Sequence, residues 1–175
     1  MSLPYAGKNI VIGVTGSIAA FKVAGWVSTL AKAEAQVSVV MTKAAQKFIT
    51  PLTFSSLAGT KTHTGMFDNE SDEWMAHINL GRDADLIIVA PASAQTIARL
   101  AHGMSSDLLS TTVLASRAPV YICPAMNTRM YEHPATRENI ARLSQYGYQV
   151  IEPGVGMMAC KEEGQGRLPE WEDVD

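Results

Sequence analysis

Two cysteines are all that this 175-residue chain contains. Neither Cys123 nor Cys160 belongs to a CxxC pair or a zinc-ligand spacing, so no metal site is expected. That leaves at most one disulfide or, as expected of a cytoplasmic protein, two reduced thiols. No apolar run approaches the ~20 residues that a membrane-spanning helix needs. A basic region followed by a long apolar stretch is missing from the amino terminus, which argues against a secretory signal. Basic blocks are missing too, and the net charge of −3 speaks against a nucleic-acid footprint. Internal repeats and low-complexity tracts are absent, as is a full GxGxxG fingerprint.

What is present is apolar and evenly spread. Hydrophobic residues make up 47% and charged residues 18%, the balance of one domain with an ordinary core. The organising stretch is residues 83–96, where Leu86 to Ala90 form a continuous apolar run. Such a run predicts a strand covered on both faces of a parallel sheet. Pro91 is expected to stop it, having no ladder donor, and the small residues Ala92, Ser93 and Ala94 follow. Ligands of open α/β sheets bind at this carboxyl edge, and small side chains let backbone N–H groups approach them.

Around this strand the pattern alternates. Asn9 to Val14 reads as a first buried strand running into Thr15-Gly16-Ser17-Ile18-Ala19-Ala20. Val23, Val27 and Leu30 then recur at helical spacing through about Ala33, and Val37 to Met41 is a second strand ended by Thr42. A short helix is expected over Pro51 to Leu57, with proline in its first turn. The polar stretch 65–73 reads as a surface loop. Helices are predicted over Thr96 to His102, Asp107 to Ala115 and Pro134 to Tyr146. Val120 to Cys123, closed by Pro124, and Gln149 to Ile151 are further strands. Alternation of this kind predicts an α/β fold, a three-layer, doubly wound parallel sheet. Residues 153–170, rich in glycine, read as a flexible loop that could serve as a lid rather than as a packed element.

Three predicted strands thus end in short loops on one edge: 13–17, 91–95 and 124–127. Gly13, Gly16 and Ser17 suit phosphate binding at a helix amino terminus, or simply a tight turn. Asn127 could hold a substrate carboxylate or cap the helix that follows, and Arg129 could meet an anion or form a surface ion pair. His77 lies shortly before the central strand, where a lone histidine is ordinarily a packed or solvated residue. His63, His102 and His133 read as structural. Cys160 stands beside Lys161 in the glycine-rich stretch, where a lowered pKa would let it act as acid or nucleophile. Cys123, ending an apolar strand, reads as packing.

Several segments, in this order, resemble the homo-oligomeric flavin-containing cysteine decarboxylases. They are Gly16-Ser17-Ile18-Ala19-Ala20, His77-Ile78-Asn79-Leu80, Pro91-Ala92-Ser93-Ala94-Gln95-Thr96, Pro124 through Tyr131, and Ala159-Cys160 with Glu163-Gly164-Gln165-Gly166-Arg167. The resemblance runs from Gly13 to about Glu170 and implies a Rossmann-like flavoprotein domain over 1–175, with 153–170 as a flexible substrate clamp. It implies FMN as cofactor, with Gly16, Ser17, Ile18 and Thr42 at the phosphate end and Ser93, Ala94, Gln95, Thr96 and Ala125 lining the rest. His77 matches a catalytic base-like histidine, Asn127 the asparagine that grips the substrate carboxylate, and Cys160 a proton donor. Met130 and Ala159 fall at substrate-binding positions.

The members most alike act in coenzyme A biosynthesis, turning 4′-phosphopantothenoylcysteine into 4′-phosphopantetheine. Oxidation of the cysteine side chain to a thioaldehyde provides the electron sink that a carboxylate on an sp³ carbon lacks. Loss of CO2 then gives an enethiol, and saturating it requires a returned hydride and a proton. The resemblance further implies a cytoplasmic homo-oligomer, a trimer or trimers assembled into a dodecamer, and a possible fused ligase domain. Other relatives would make it a peptidyl-cysteine decarboxylase of lantibiotic maturation, a flavin prenyltransferase or a non-catalytic flavin-binding regulator. Gln95 stands where the family usually has asparagine, Tyr131 where it has tryptophan, and Lys161-Glu162 where Gly-Asp is commoner.

Overall fold

Five apolar strands and the helices between them build one parallel sheet in the computed structural model, which describes residues 5–67, 75–159 and 161–174. The chain runs β1 (Asn9–Val14), α1 (Ala20–Lys32), β2 (Gln36–Met41), α2 (Pro51–Ala58) and α3 (Ala76–Asp83). It continues through β3 (Leu86–Ala92), α4 (Ala94–Ala101), α5 (Leu108–Leu114) and β4 (Val120–Pro124). After these come α6 (Thr128–Glu132), α7 (Pro134–Gln145), β5 (Gln149–Val150) and a hairpin of β6 (Gly154–Met157) with β7 (Glu163–Arg167). Sheet order is β2-β1-β3-β4-β5, so the direction of winding reverses between β1 and β3. Crevices open at such a switch point, outside the carboxyl ends of the strands.

Both faces of the sheet are covered, which is why its strands read as unbroken apolar runs. Ile10, Ile12, Ile88 and Ala90 pack on one side against Val23, Val27 and Leu30 of α1 and Phe54 of α2. Val11, Ile87, Val89 and Ile122 pack on the other against α4, α5 and α7 through Ile97, Leu109 and Leu143. Each fully buried aliphatic side chain of this kind contributes about 1.5–3 kcal/mol. The carboxyl-terminal turn Trp171–Asp173 folds back on α1, its indole 5.6 Å from that of Trp26. Asp107 caps α5 in a reciprocal capping box with Ser110.

Two expectations are corrected. Pro91 does not end its strand, because β3 continues to Ala92 with a cis Ala90–Pro91 peptide. The register against β4 shifts between Val89 and Ala92, so proline sits where the ladder skips a donor. Residues 153–170 are not an unpaired loop: β6 and β7 pair antiparallel, and Leu168 is buried. Strands built of glycines and polar residues show no alternating apolar signal, which hid the hairpin. His77 lies on α3, whose close packing on α5 leaves no room for a side chain at Gly81, where a Cβ would come 2.8 Å from the Thr112 carbonyl. Of the expected loop at 65–73, residues 68–73 lie outside the described residues.

Candidate active site

The loop after β1 is fastened to the loop after β3 by one hydroxyl. Thr15, fully buried, donates from Oγ1 to the Pro91 carbonyl at 2.5 Å and accepts from the Ser93 N–H at 2.9 Å. Beside it, the backbone of Gly16 presses on the turn after β2, where a Cβ would stand 2.6 Å from that of Ala44. Ser93 starts α4, accepting from the Thr96 N–H and donating to the Thr96 hydroxyl at 3.2 Å. Arg99 of α4 pairs with Asp107, tying α4 to the start of α5.

These loops bound a cleft of about 930 Å³ lined by Gly16, Thr42, Lys43, Ser93, Ala94, Gln95, Thr96, Ser105, Ser106 and Met130, among others. That volume lies within the range of small-molecule sites. Hydroxyls, the Lys43 ammonium and the first-turn amides of α4, which no intrahelical carbonyl can engage, make it receptive to an anion. Metal-ligating clusters are absent among the described residues. Hydroxyl, amide and ammonium donors of this kind fit a phosphorylated organic group.

A second cavity of about 400 Å³ lies across the first loop, lined by Ser17, Ile18, Phe21, Lys22, Ala125, Asn127, Met157, Met158, Ala159 and Arg167, among others. Its lining is largely apolar, with cations at Lys22 and Arg167. Lys22 reaches Glu170 at 2.7 Å, and this hydrogen bond holds the Glu170 carboxyl below its usual range. Asn127 realises the helix cap, its Oδ1 accepting from the Arg129 N–H at 2.9 Å. The remaining half of the amide engages a carboxylate, with Nδ2 donating to Glu162 Oε2 at 2.6 Å. Arg129, an exposed cation, lies 3.8 Å from the other oxygen of Glu162.

The hairpin is strapped over this cavity. Gly166 holds φ +153°, and a Cβ there would sit 2.2 Å from the Met126 carbonyl. In return the Met126 N–H donates to the Gly166 carbonyl at 3.0 Å. Tyr131, buried at 1% exposure, donates its hydroxyl to Glu152 at 2.6 Å. Gln165 of β7 donates to the same oxygen at 3.1 Å. Burial, and then the hydrogen bond to Glu152, push the Tyr131 phenol up to about 12.

The candidate residues are thus divided between two adjoining cavities. Gly16, Thr42, Ser93, Ala94, Gln95, Thr96 and Met130 line the larger, while Ser17, Ile18, Ala125, Asn127 and Ala159 line the smaller. His77, half-buried on α3, lines neither. Cys160 lies outside the described residues. Cys123 is buried as expected, and desolvation raises its thiol to about 12. His133 caps α7, accepting from the Ala135 N–H at 3.2 Å, in line with its structural reading. Sequence reasoning passed over Thr15, Lys43 and Glu162. A lone threonine closing an apolar strand was the available signal for Thr15, and Glu162 stood out only as part of the Lys161-Glu162 departure, with no partner indicated.

Comparison with known proteins agrees with this architecture. The model of the Flavoprotein family matches residues 2–175. The coenzyme A biosynthesis bifunctional protein CoaBC of Haemophilus influenzae is 46% identical over 168 residues, covering 96% of this chain and 42% of that protein. The protein of the same name from Bacillus subtilis is 46% identical over 167 residues, covering 95% and 41%. The chain therefore spans about two fifths of the length of these relatives. Among solved structures, a cysteine-to-serine mutant of PPC decarboxylase complexed with pantothenoylaminoethenethiol superposes with a TM-score of 0.84 at 27% identity, covering 96% of this chain and 94% of that one. The FMN-dependent cysteine decarboxylase SpaF gives 0.81 at 30%, covering 92% and 90%. By this match over residues 2–175, the chain belongs to the Flavoprotein family.

Proposed function

We propose that the chain is an FMN-dependent carboxy-lyase acting on 4′-phosphopantothenoylcysteine, yielding 4′-phosphopantetheine for coenzyme A biosynthesis. The observation that carries this reading is the adjacency of two cavities separated by one loop, a hydroxyl- and amide-lined cleft beside an apolar pocket holding the Asn127 amide. Relatives bearing the coenzyme A biosynthesis name at 46% identity support the substrate class.

FMN, when bound, supplies the reversible two-electron oxidation of the cysteine side chain that gives the departing carboxylate an electron sink. Gly16, Ser17, Ile18 and Thr42 would hold its phosphate, with Ser93 to Thr96 and Ala125 along the remainder. Asn127 grips the substrate carboxylate through Nδ2 while its Oδ1 stays engaged as the α6 cap, so the amide is oriented before substrate arrives. A neutral amide in an apolar pocket suits an anion whose charge must leave as CO2. Met130 and Ala159 would flank the substrate, and the 153–170 segment would act as the clamp that keeps water out.

His77 is assigned as the base and Cys160 as the donor of the proton that saturates the enethiol. Because His77 lines neither cavity of one chain, its role calls for a second subunit that carries α3 over the cleft, in keeping with a trimer or trimers assembled further. A ligase domain would follow in a full-length bifunctional protein.

The test is an anaerobic assay of the yellow protein with 4′-phosphopantothenoylcysteine, read by mass spectrometry. Loss of CO2 alone is expected. A further loss of two hydrogens by the unaltered protein would identify an enethiol-forming enzyme instead. Cys160→Ser is expected to accumulate that oxidised product and His77→Asn to abolish turnover; full activity of Cys160→Ser to the saturated thiol would remove Cys160 from the mechanism.

A further inference from the structure

The Asn127 amide, on whose assignment to the substrate carboxylate this inference rests, already holds a carboxylate of the chain's own. Nδ2 donates to Glu162 Oε2 at 2.6 Å, a charge-assisted hydrogen bond. Glu162 arrives on the connection between β6 and β7, anchored by its carbonyl, which accepts from the Met158 N–H at 2.9 Å. Asn127 lines the smaller cavity, as do Met157, Met158 and Ala159 on the hairpin that carries Glu162.

We infer that Glu162 is an internal stand-in for the substrate carboxylate, occupying its subsite in the ligand-free protein and surrendering it only to a ligand that brings a carboxylate of its own. Nδ2 carries two N–H donors, but two carboxylates drawn to the same neutral amide in an apolar pocket repel each other, so a substrate carboxylate competes with Glu162. Arg129 offers the displaced side chain somewhere to go. Its guanidinium, 3.8 Å from Glu162 Oε1 and largely in solvent, can keep the glutamate as it leaves Asn127.

The consequence is selective. A carboxylate ligand meets a site of which only a fraction is open, and its apparent affinity falls by that fraction. A decarboxylated product makes no claim on Nδ2, and Glu162 leaves its affinity alone. Glu162 therefore lowers the affinity for substrate relative to product, and restores a partner to Asn127 once CO2 has gone.

The test uses the FMN-loaded protein and two inert probes. One is 4′-phosphopantothenoylalanine, which has no thiol to oxidise; the other is its ethylamide counterpart, which has no carboxylate. Calorimetric titration of Glu162→Ala is expected to show the carboxylate probe binding about tenfold tighter than to the unaltered protein, the loss of one charge-assisted competitor. Affinity for the ethylamide probe is expected to stay the same. Hydrogen exchange without ligand gives a second readout, with faster exchange of the Met158 amide expected in Glu162→Ala. If the unaltered protein prefers the carboxylate probe but Glu162→Ala binds it no tighter, or exchange at Met158 is unchanged, the stand-in role is wrong while the proposed function survives. If Glu162→Ala, with the competitor gone, binds both probes equally, the assignment of Asn127 fails and this inference fails with it.

Discussion

Single side chains decide whether the rim of this sheet is one site or several loose loops. Thr15 has one hydroxyl and uses it in both directions, towards Pro91 and from Ser93, with no exposure to water. Replacing it by valine keeps the shape and strands a buried carbonyl and N–H, a cost of about 1–3 kcal/mol. Thermal unfolding of Thr15→Val should show that loss, together with weaker retention of flavin, while Thr15→Ser should recover most of both. Cys123 makes the opposite prediction. With its thiol raised to about 12 by burial, it should resist alkylation at pH 8 in the native protein and react once the protein is denatured.

At the scale of elements, the hairpin matters most. Its glycines are where side chains cannot go: at Gly166 an alanine Cβ would drive into the Met126 carbonyl at 2.2 Å. Gly166→Ala should therefore lift β7 from the exit of β4, read as faster hydrogen exchange at Met126 and a raised KM. Tyr131→Phe removes the hydroxyl that shares Glu152 with Gln165 and is expected to loosen the base of the hairpin by about 1 kcal/mol. The pH dependence follows from the same phenol. Its folded pKa of about 12 lies above the ordinary tyrosine value of 10.0, so the folded state binds its proton more tightly. That contribution to stability is complete below pH 10 and is lost as pH rises towards 12. Denaturant midpoints across that window should fall more steeply for the unaltered protein than for Tyr131→Phe.

For the molecule as a whole, a ligand that fills the cleft between β1 and β3 stabilises the fold by linkage. At a free FMN concentration a hundred times its Kd the gain is about 2.7 kcal/mol, or roughly 5–10 °C in Tm for a chain of this size. Calorimetry of the protein before and after removal of flavin should show that difference, and an unchanged Tm would mean that FMN does not occupy the cleft. No helix among the described residues is long and apolar enough to cross a membrane.

The central strands were legible because both of their faces are covered. Asn9–Val14, Leu86–Ala92 and Val120–Pro124 carry apolar runs that need no knowledge of their neighbours to be recognised. Caps such as Asp107 and the small residues after each strand were equally local, so the loops at the carboxyl edge of the sheet could be placed from sequence. The continuation of β3 past Pro91 was not, since the register shift that accommodates it belongs to the pairing with β4. Nor was the hairpin, whose strands are held by backbone pairing and contact with Met126 rather than by an apolar face of their own. The meeting of Asn127 with Glu162, 35 positions apart, was likewise settled only by folding. Apolar periodicity is written along the chain, whereas the partner of a polar group is chosen by whichever distant segment the packed core brings within hydrogen-bonding distance.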